Sequence, residues 1–173
     1  MVAIGYFRWA LIVAAIVTVS AYLGQPLAQE AGDAVSGDTA AVNDEAAIRG
    51  VLASYNNALS GGKTAAVMPL YAEDGVFMPP YSPSAVGTDA VRKAYGAVFD
   101  ELKFHVKFTI AELVVMAPTW AYVRTNSAGT TDHRSTGRST AEANQELFIF
   151  KKDSDGKWRI ARYGFSPTNP PAK

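Results

Sequence analysis

The apolar positions of this chain keep a helical period, switch to a strand period, and then change phase, and these switches divide it. Ile48, Val51, Leu52, Tyr55 and Leu59 recur at spacings of three and four, which predicts one buried helix face. Asn43 stands before this run as a cap with Asp44 and Glu45 in the first turn, and Gly61-Gly62 closes it,. A second, brief helix starts at Thr64 and carries Val67, Leu70 and Tyr71, bent by Pro69, which lacks an amide donor,. Glu73-Asp74-Gly75 turns the chain into a short strand, Val76 to Met78, stopped by Pro79-Pro80. A third helix, capped by Thr88, presents Val91, Tyr95, Val98, Phe99 and Leu102 on one stripe.

Beyond Leu102 the period becomes two. Phe104, Val106, Phe108 and Ile110 alternate with His105, Lys107 and Thr109, which predicts a strand with one wet face. Past Ala111 the apolar set moves to Leu113 and Val115, a phase change that predicts a bulge and a bend. The next strand spans Trp120 to Thr130, and Thr131 to Ala141 reads as a polar loop. Glu142 to Ser166 then holds two runs rich in β-branched and aromatic residues around Asp153-Ser154-Asp155-Gly156, a hairpin signal. Parity places Asn144, Glu146, Phe148 and Phe150 on one face of the first run, with Gln145, Leu147 and Ile149 on the other,. In the second run Trp158 and Ile160 oppose Ala161, Tyr163 and Phe165. Both faces carry large apolar groups, so both should be covered, one by helices and the other by a second subunit.

Helices followed by strands imply an α+β fold, a cone-shaped roll of three N-terminal helices packed on a strongly bent, mostly antiparallel sheet. Such a cone encloses a pocket at its open end, where a small molecule would bind. Upstream, Arg8 precedes the apolar run Trp9 to Leu23 without any acidic residue, which reads as an export signal over residues 1–28. An uncleaved anchor is the alternative, and cleavage would leave a periplasmic or secreted protein with no stable membrane contact. Gln29 to Val42 is small, polar and without period, a flexible spacer before a domain spanning residues 43–168, with a tail at 169–173.

Composition narrows the chemistry more than the fold. At 173 residues and 49% hydrophobic, the chain can bury one core,. A formal charge of +0 gives no reason to expect nucleic acid or an anionic membrane as partner,. The absence of Cys excludes disulfides, a thiolate nucleophile and zinc–thiolate sites,. His105 and His133 are the only histidines, so a His-rich metal site is excluded and none is expected. No Gly-rich phosphate loop, nucleophile elbow or cofactor-binding motif is present, and no cofactor is expected,.

Tyr55, the run Leu70-Tyr71-Ala72-Glu73-Asp74-Gly75-Val76-Phe77, Gly87, and Asp155-Gly156-Lys157-Trp158-Arg159-Ile160 together resemble the nuclear-transport-factor-2-like superfamily. Within it the chain is most similar to SnoaL-like proteins of the SgcJ/EcaC type, over about Asn43 to Pro167. The resemblance implies the cone fold, pairing of two subunits through the outer sheet face, and a choice among isomerases, cyclases, dehydratases, ligand binders and assembly modules. Leu147, Ile149, Trp158 and Ile160 would supply the apolar surface for a homodimer. Ketosteroid isomerases of this superfamily need a base carboxylate, a Tyr and a protonated Asp. The resemblance puts Tyr55 at the Tyr position, Pro79 at the base position and Phe148 at the acid position, so isomerase chemistry in that form is excluded.

Glu146 is the first choice for an acid–base group, Arg124 for its partner or an anion clamp, and Tyr55 for a donor to a ligand oxygen. Asn126, Asn144, Phe148, Tyr163 and Phe165 are expected to line the pocket with them. Against this stand a core Tyr55 with a locally satisfied hydroxyl, and a purely structural Arg124–Glu146 pair. Asp132-His133-Arg134 reads as a solvated lip. The expected function is binding of a small, largely apolar molecule, with cofactor-free proton transfer if there is turnover. The alternative is a non-catalytic ligand-binding or assembly module.

Overall fold

The structure, a computed structural model, describes residues 28–169, with side chains from residue 40 onward. The expected export signal therefore lies outside the described residues except for Ala28, and so does most of the expected tail. Among the described residues no helix is long and apolar enough to cross a membrane.

Helix α1 runs from Ala28 to Gly61, and its apolar stripe buries Ile48, Leu52, Tyr55, Ala58 and Leu59. It begins well before Asn43, so the segment expected to be a spacer is helical and Asn43 is not its cap. The reason lies in Gln29 to Val42 itself, which has Ala31, Ala34, Ala40 and Ala41 and no proline. Extending a helix that is already nucleated and packed costs little. Asp44 ties this helix to the last hairpin, its carboxylate 2.5 Å from the Lys152 ammonium and 2.9 Å from the Trp158 indole nitrogen. At the far end the Gly62 amide closes the helix on the Ala58 carbonyl at 3.1 Å.

The brief second helix, α2 (Thr64–Val67), passes into a 3-10 turn at Met68–Leu70 that accommodates Pro69. Strand β1 (Tyr71–Met78) begins earlier than expected, because Glu73-Asp74-Gly75 forms an irregularity within the strand rather than a turn before it. A two-residue strand, β2 (Ala85–Val86), precedes α3 (Thr88–Glu101), whose stripe buries Val91, Tyr95 and Phe99. Its cap is Gly87, at φ 81°, and not Thr88. Glycine takes this left-handed conformation without strain, and the Thr88 hydroxyl instead donates to the Glu73 carbonyl at 3.3 Å.

Four long strands complete the fold: β3 (Leu102–Ala117), β4 (Trp120–His133), β5 (Arg138–Lys152) and β6 (Trp158–Pro167). The six strands form one sheet in the order β2-β1-β6-β5-β4-β3. Every neighbouring pair is antiparallel except β1 with β6. The bulge foreseen at Ala111 is present, with a register shift between Ile110 and Glu112. Gly129 lies where β3 and β4 approach most closely, since a Cβ there would sit 2.0 Å from the His105 carbonyl oxygen.

Two expectations fail in the sheet. Most of the supposed loop from Thr131 to Ala141 is strand, with Thr131 paired to Thr140 and only residues 134–137 left as a turn. Threonine pairs suit a pleated surface, so polarity alone misread them. In β6 the register shifts, so that Ile149 pairs with Arg162 but Phe150 pairs with Ile160, leaving Ala161 as an extra residue. That bulge breaks simple parity and turns Trp158 and Ile160 into the core, at 4% and 0% exposure. The outer face keeps Leu147 and Ile149 from the apolar set expected there, beside Tyr122, Arg124 and Gln145.

Candidate functional site

A cavity of about 530 Å³ lies between the concave sheet face and the helices. Tyr55 and Leu59 come from α1, Tyr95 and Val98 from α3, and Leu102, Phe104, Val106 and Phe108 from the inward positions of β3. Phe77, Pro79 and Pro80 close one side, and Tyr163 and Phe165 another. This wall is apolar because it is assembled from the same alternating positions that make the core. Tyr81, at the rim of the cavity, is 99% exposed and holds φ 60°, a left-handed conformation unusual for a bulky side chain,.

At the back of the cavity the phenols form a chain. The Tyr95 hydroxyl is 2.6 Å from that of Tyr55 and 2.9 Å from that of Tyr71, and the Tyr163 ring meets Tyr55 edge-on with centroids 5.4 Å apart. Burial pushes all four phenols well above their ordinary values, so they serve as neutral donors and acceptors. The rings interlock as well: Phe148 stacks on Tyr163 with centroids 4.2 Å apart, and Tyr55 meets both edge-on.

The other end is polar. Glu146, 5% exposed, accepts a 2.5 Å hydrogen bond from the Thr125 hydroxyl. Burial pushes its carboxyl above the ordinary range; the Ser127 and Thr125 hydroxyls oppose this, and the nearby Glu142 adds to it,. Asn144, 7% exposed, donates from Nδ2 to Glu142 Oε1 at 2.8 Å and to Ser127 Oγ at 3.4 Å. The Thr131 hydroxyl donates to Glu142 Oε2 at 3.2 Å. Ser127, Glu142 and Asn144 lie on the cavity wall, and Glu146 sits among them just behind it. No Lys or Arg lines this cavity among the described residues.

The expected site residues divide. Tyr55, Asn144, Tyr163 and Phe165 line the cavity, while Glu146 is buried off its wall, held by Thr125, and borders the outer depression described below. Phe148 also points inward but is fully buried behind Tyr55 and Tyr163, off the wall. Arg124 and Asn126 are on the opposite face, because the register sets Thr125 against Glu146 while Arg124 faces Leu147 and Asn126 faces Gln145. Arg124 Nε instead donates to Glu112 Oε2 at 2.7 Å on the outer surface, so Glu146 has no Arg124 partner. Physically, the inward face of β4 carries Ala121, Val123, Thr125 and Ser127, short residues suited to the crowded concave side. Both Arg124 and Asn126 line a separate outer depression of about 470 Å³, with Leu147 and Arg162.

Thr125, Ser127 and Glu142 were not among the expected site residues. Their signal was in the sequence: Glu142 continues the inward alternation of Asn144 and Glu146, and Thr125 and Ser127 continue that of Ala121 and Val123. His133 reaches the cavity mouth but is engaged, with Nε2 3.0 Å from Thr140 Oγ1 and Nδ1 3.9 Å from Glu101. His105 is on the wet face as expected, 3.0 Å from Asp132. Pro79 is on the cavity wall and Phe148 behind it, so neither position tied to isomerase chemistry offers a proton acceptor.

Residues 51–161 match the family described as the SnoaL-like domain. A ketosteroid isomerase-like protein from Erwinia carotovora atroseptica is 37% identical, with a TM-score of 0.70 over 72% of this chain and 96% of that one. A hexachlorocyclohexane dehydrochlorinase from Novosphingobium barchaimii shares the fold at TM-score 0.68 and 10% identity, over 76% of this chain and 91% of its own. A candidate scytalone dehydratase from Novosphingobium aromaticivorans does so at TM-score 0.67 and 17% identity, over 76% and 89%. At these identities the last two show the fold alone. No curated protein matches the chain.

Proposed function

Because the chain belongs to the SnoaL-like domain family, we propose that it binds a small, largely apolar molecule in the cone cavity. The observation that carries this reading is a cavity of about 530 Å³ with aromatic walls and a compact polar end. Ligand pockets have this size and this division of labour, in which apolar area gives affinity and a few polar groups give orientation. The alternative of an assembly module working through the outer sheet face keeps only Leu147 and Ile149 of its four expected apolar residues, which favours the cavity.

Any turnover belongs to cofactor-free proton transfer. The structural neighbours include a dehydrochlorinase and a candidate dehydratase, so this scaffold hosts elimination chemistry elsewhere. In this chain Glu142 is the carboxyl on the wall, and Glu146 is a second one whose burial favours its neutral form. A pair of carboxyls in unlike environments is the arrangement that separates a base from an acid. The finer grouping with SgcJ/EcaC-type proteins rests on Tyr55, Leu70 to Phe77, Gly87 and Asp155 to Ile160 taken together. Export rests on the apolar run Trp9 to Leu23 alone.

Isothermal titration with naphthol tests the binding. The wild-type chain should bind saturably at one site per chain. Val98→Trp, which fills the cavity from α3, should abolish binding while leaving the circular dichroism spectrum unchanged. Equal binding by a folded Val98→Trp variant would place the ligand elsewhere.

A further inference from the structure

The donors at the polar end of the cavity are largely spent on its own acceptors. The Thr125 hydroxyl donates to Glu146, and the Thr131 hydroxyl donates to Glu142. The Asn144 amide nitrogen gives to Ser127 and Glu142. Its orientation follows from that carboxylate: turning the amide over would set oxygen against oxygen. His133 is taken up by Thr140 and Glu101.

Acceptors, by contrast, are in surplus. Asn144 Oδ1 and Glu146 Oε1 are buried and have no hydrogen-bond partner among the described residues. Glu142 has only the Asn144 and Thr131 donors for two oxygens that together offer about four lone-pair sites,. Two carboxyls stand here with no Lys or Arg on the wall. A buried acceptor without a partner costs free energy, and an anion brought beside two carboxyls would be repelled.

We infer that the ligand presents an N–H or O–H donor to Glu142, the carboxyl on the cavity wall, and carries no negative charge. The class is an alcohol or amine on an apolar ring framework, and not a ketone or a carboxylic acid. This selectivity rests on the cavity reading and extends it. It also inverts what the Tyr55 position alone would suggest, because that phenol is 1% exposed and its hydroxyl is engaged with Tyr95 at 2.6 Å.

The test uses four probes on one ring system: naphthylmethanol, naphthylmethylamine, acetonaphthone and naphthoate, each titrated calorimetrically into the full chain at neutral pH. The alcohol and the amine should bind about tenfold or more tighter than the ketone and the carboxylate, the scale of a hydrogen bond to a charged acceptor. In Glu142→Gln the amine should lose about tenfold, and the ketone should gain, because the new amide supplies a donor. Equal affinities across the four, or preference for the ketone or the carboxylate, would overturn the donor inference and leave the cavity reading standing. Failure of all four to bind would overturn the cavity reading itself, and the inference with it. Should Glu142→Gln not fold, the wild-type ranking decides alone.

Discussion

Replacing Glu146 by Gln isolates what burial does to a carboxyl in this fold. The side chain is 5% exposed, Oε2 accepts from Thr125 at 2.5 Å, and Oε1 has no partner. Its folded pKa lies above the ordinary glutamate range, chiefly through burial. The sign follows from linkage: the folded state holds the proton more tightly than the unfolded chain does. The stability contribution is therefore complete below the unfolded pKa and is lost as pH rises through the folded one. Gln keeps the shape, cannot ionise, and brings an N–H₂ within the same crowded face as the partnerless Asn144 Oδ1. An unsatisfied buried polar group costs about 1–3 kcal/mol, so Glu146→Gln should be more stable than wild type by that order near neutral pH. For a domain of this size that corresponds to a Tm rise of roughly 3–10 °C. Thermal unfolding followed by circular dichroism across the acid-to-neutral range should show the two curves converging as pH falls. A Gln variant that is less stable at neutral pH, by a margin that does not change with pH, would refute the reasoning, since it would mean that the carboxylate is favourably held.

Four further substitutions bear on the frame around the cavity. Tyr95→Phe removes the hub of the phenol chain and strands the Tyr55 and Tyr71 hydroxyls; it should cost about 2 kcal/mol by urea titration, and Tyr71→Phe about half of that. Gly129→Ala would drive a methyl to 2.0 Å from the His105 carbonyl oxygen, and the forced separation of β3 from β4 should cost about 2–3 kcal/mol, read from the urea midpoint. Tyr81→Gly relieves the left-handed conformation at φ 60° and should stabilise by about 0.5–1 kcal/mol, after allowing for the greater freedom of glycine when unfolded.

The architecture was legible wherever a period ran unbroken. The α3 stripe, the wet and dry faces of β3 and the final hairpin follow from spacing alone, and the bend at Ala111 follows from a phase change that sequence displays directly. Errors arose where the structure departs from period. Ala161 is an inserted residue in β6, so counting by twos sent Trp158 and Ile160 outward when both are core. Arg124 was joined to Glu146 because parity within each strand is visible, whereas the offset between two strands is set by turn geometry and by the short residues of β4. The same offset hid Thr125 and Ser127. Glu142 was passed over because it borders a polar segment that reads as loop, although it shares the parity of Asn144 and Glu146. Asn43 was a plausible cap in isolation, but helix extension across alanine-rich sequence overrode it.

The central claim is that the hollow of the cone, and not the outer sheet face, receives the ligand. Intermolecular nuclear Overhauser effects between bound naphthylmethanol and the side chains of the labelled protein measure this directly. The predicted contacts are to Val98, Phe108 and Tyr163, with the hydroxymethyl end near Glu142. Contacts to Leu147, Ile149 and Arg162 instead would place the molecule in the outer depression and contradict the account.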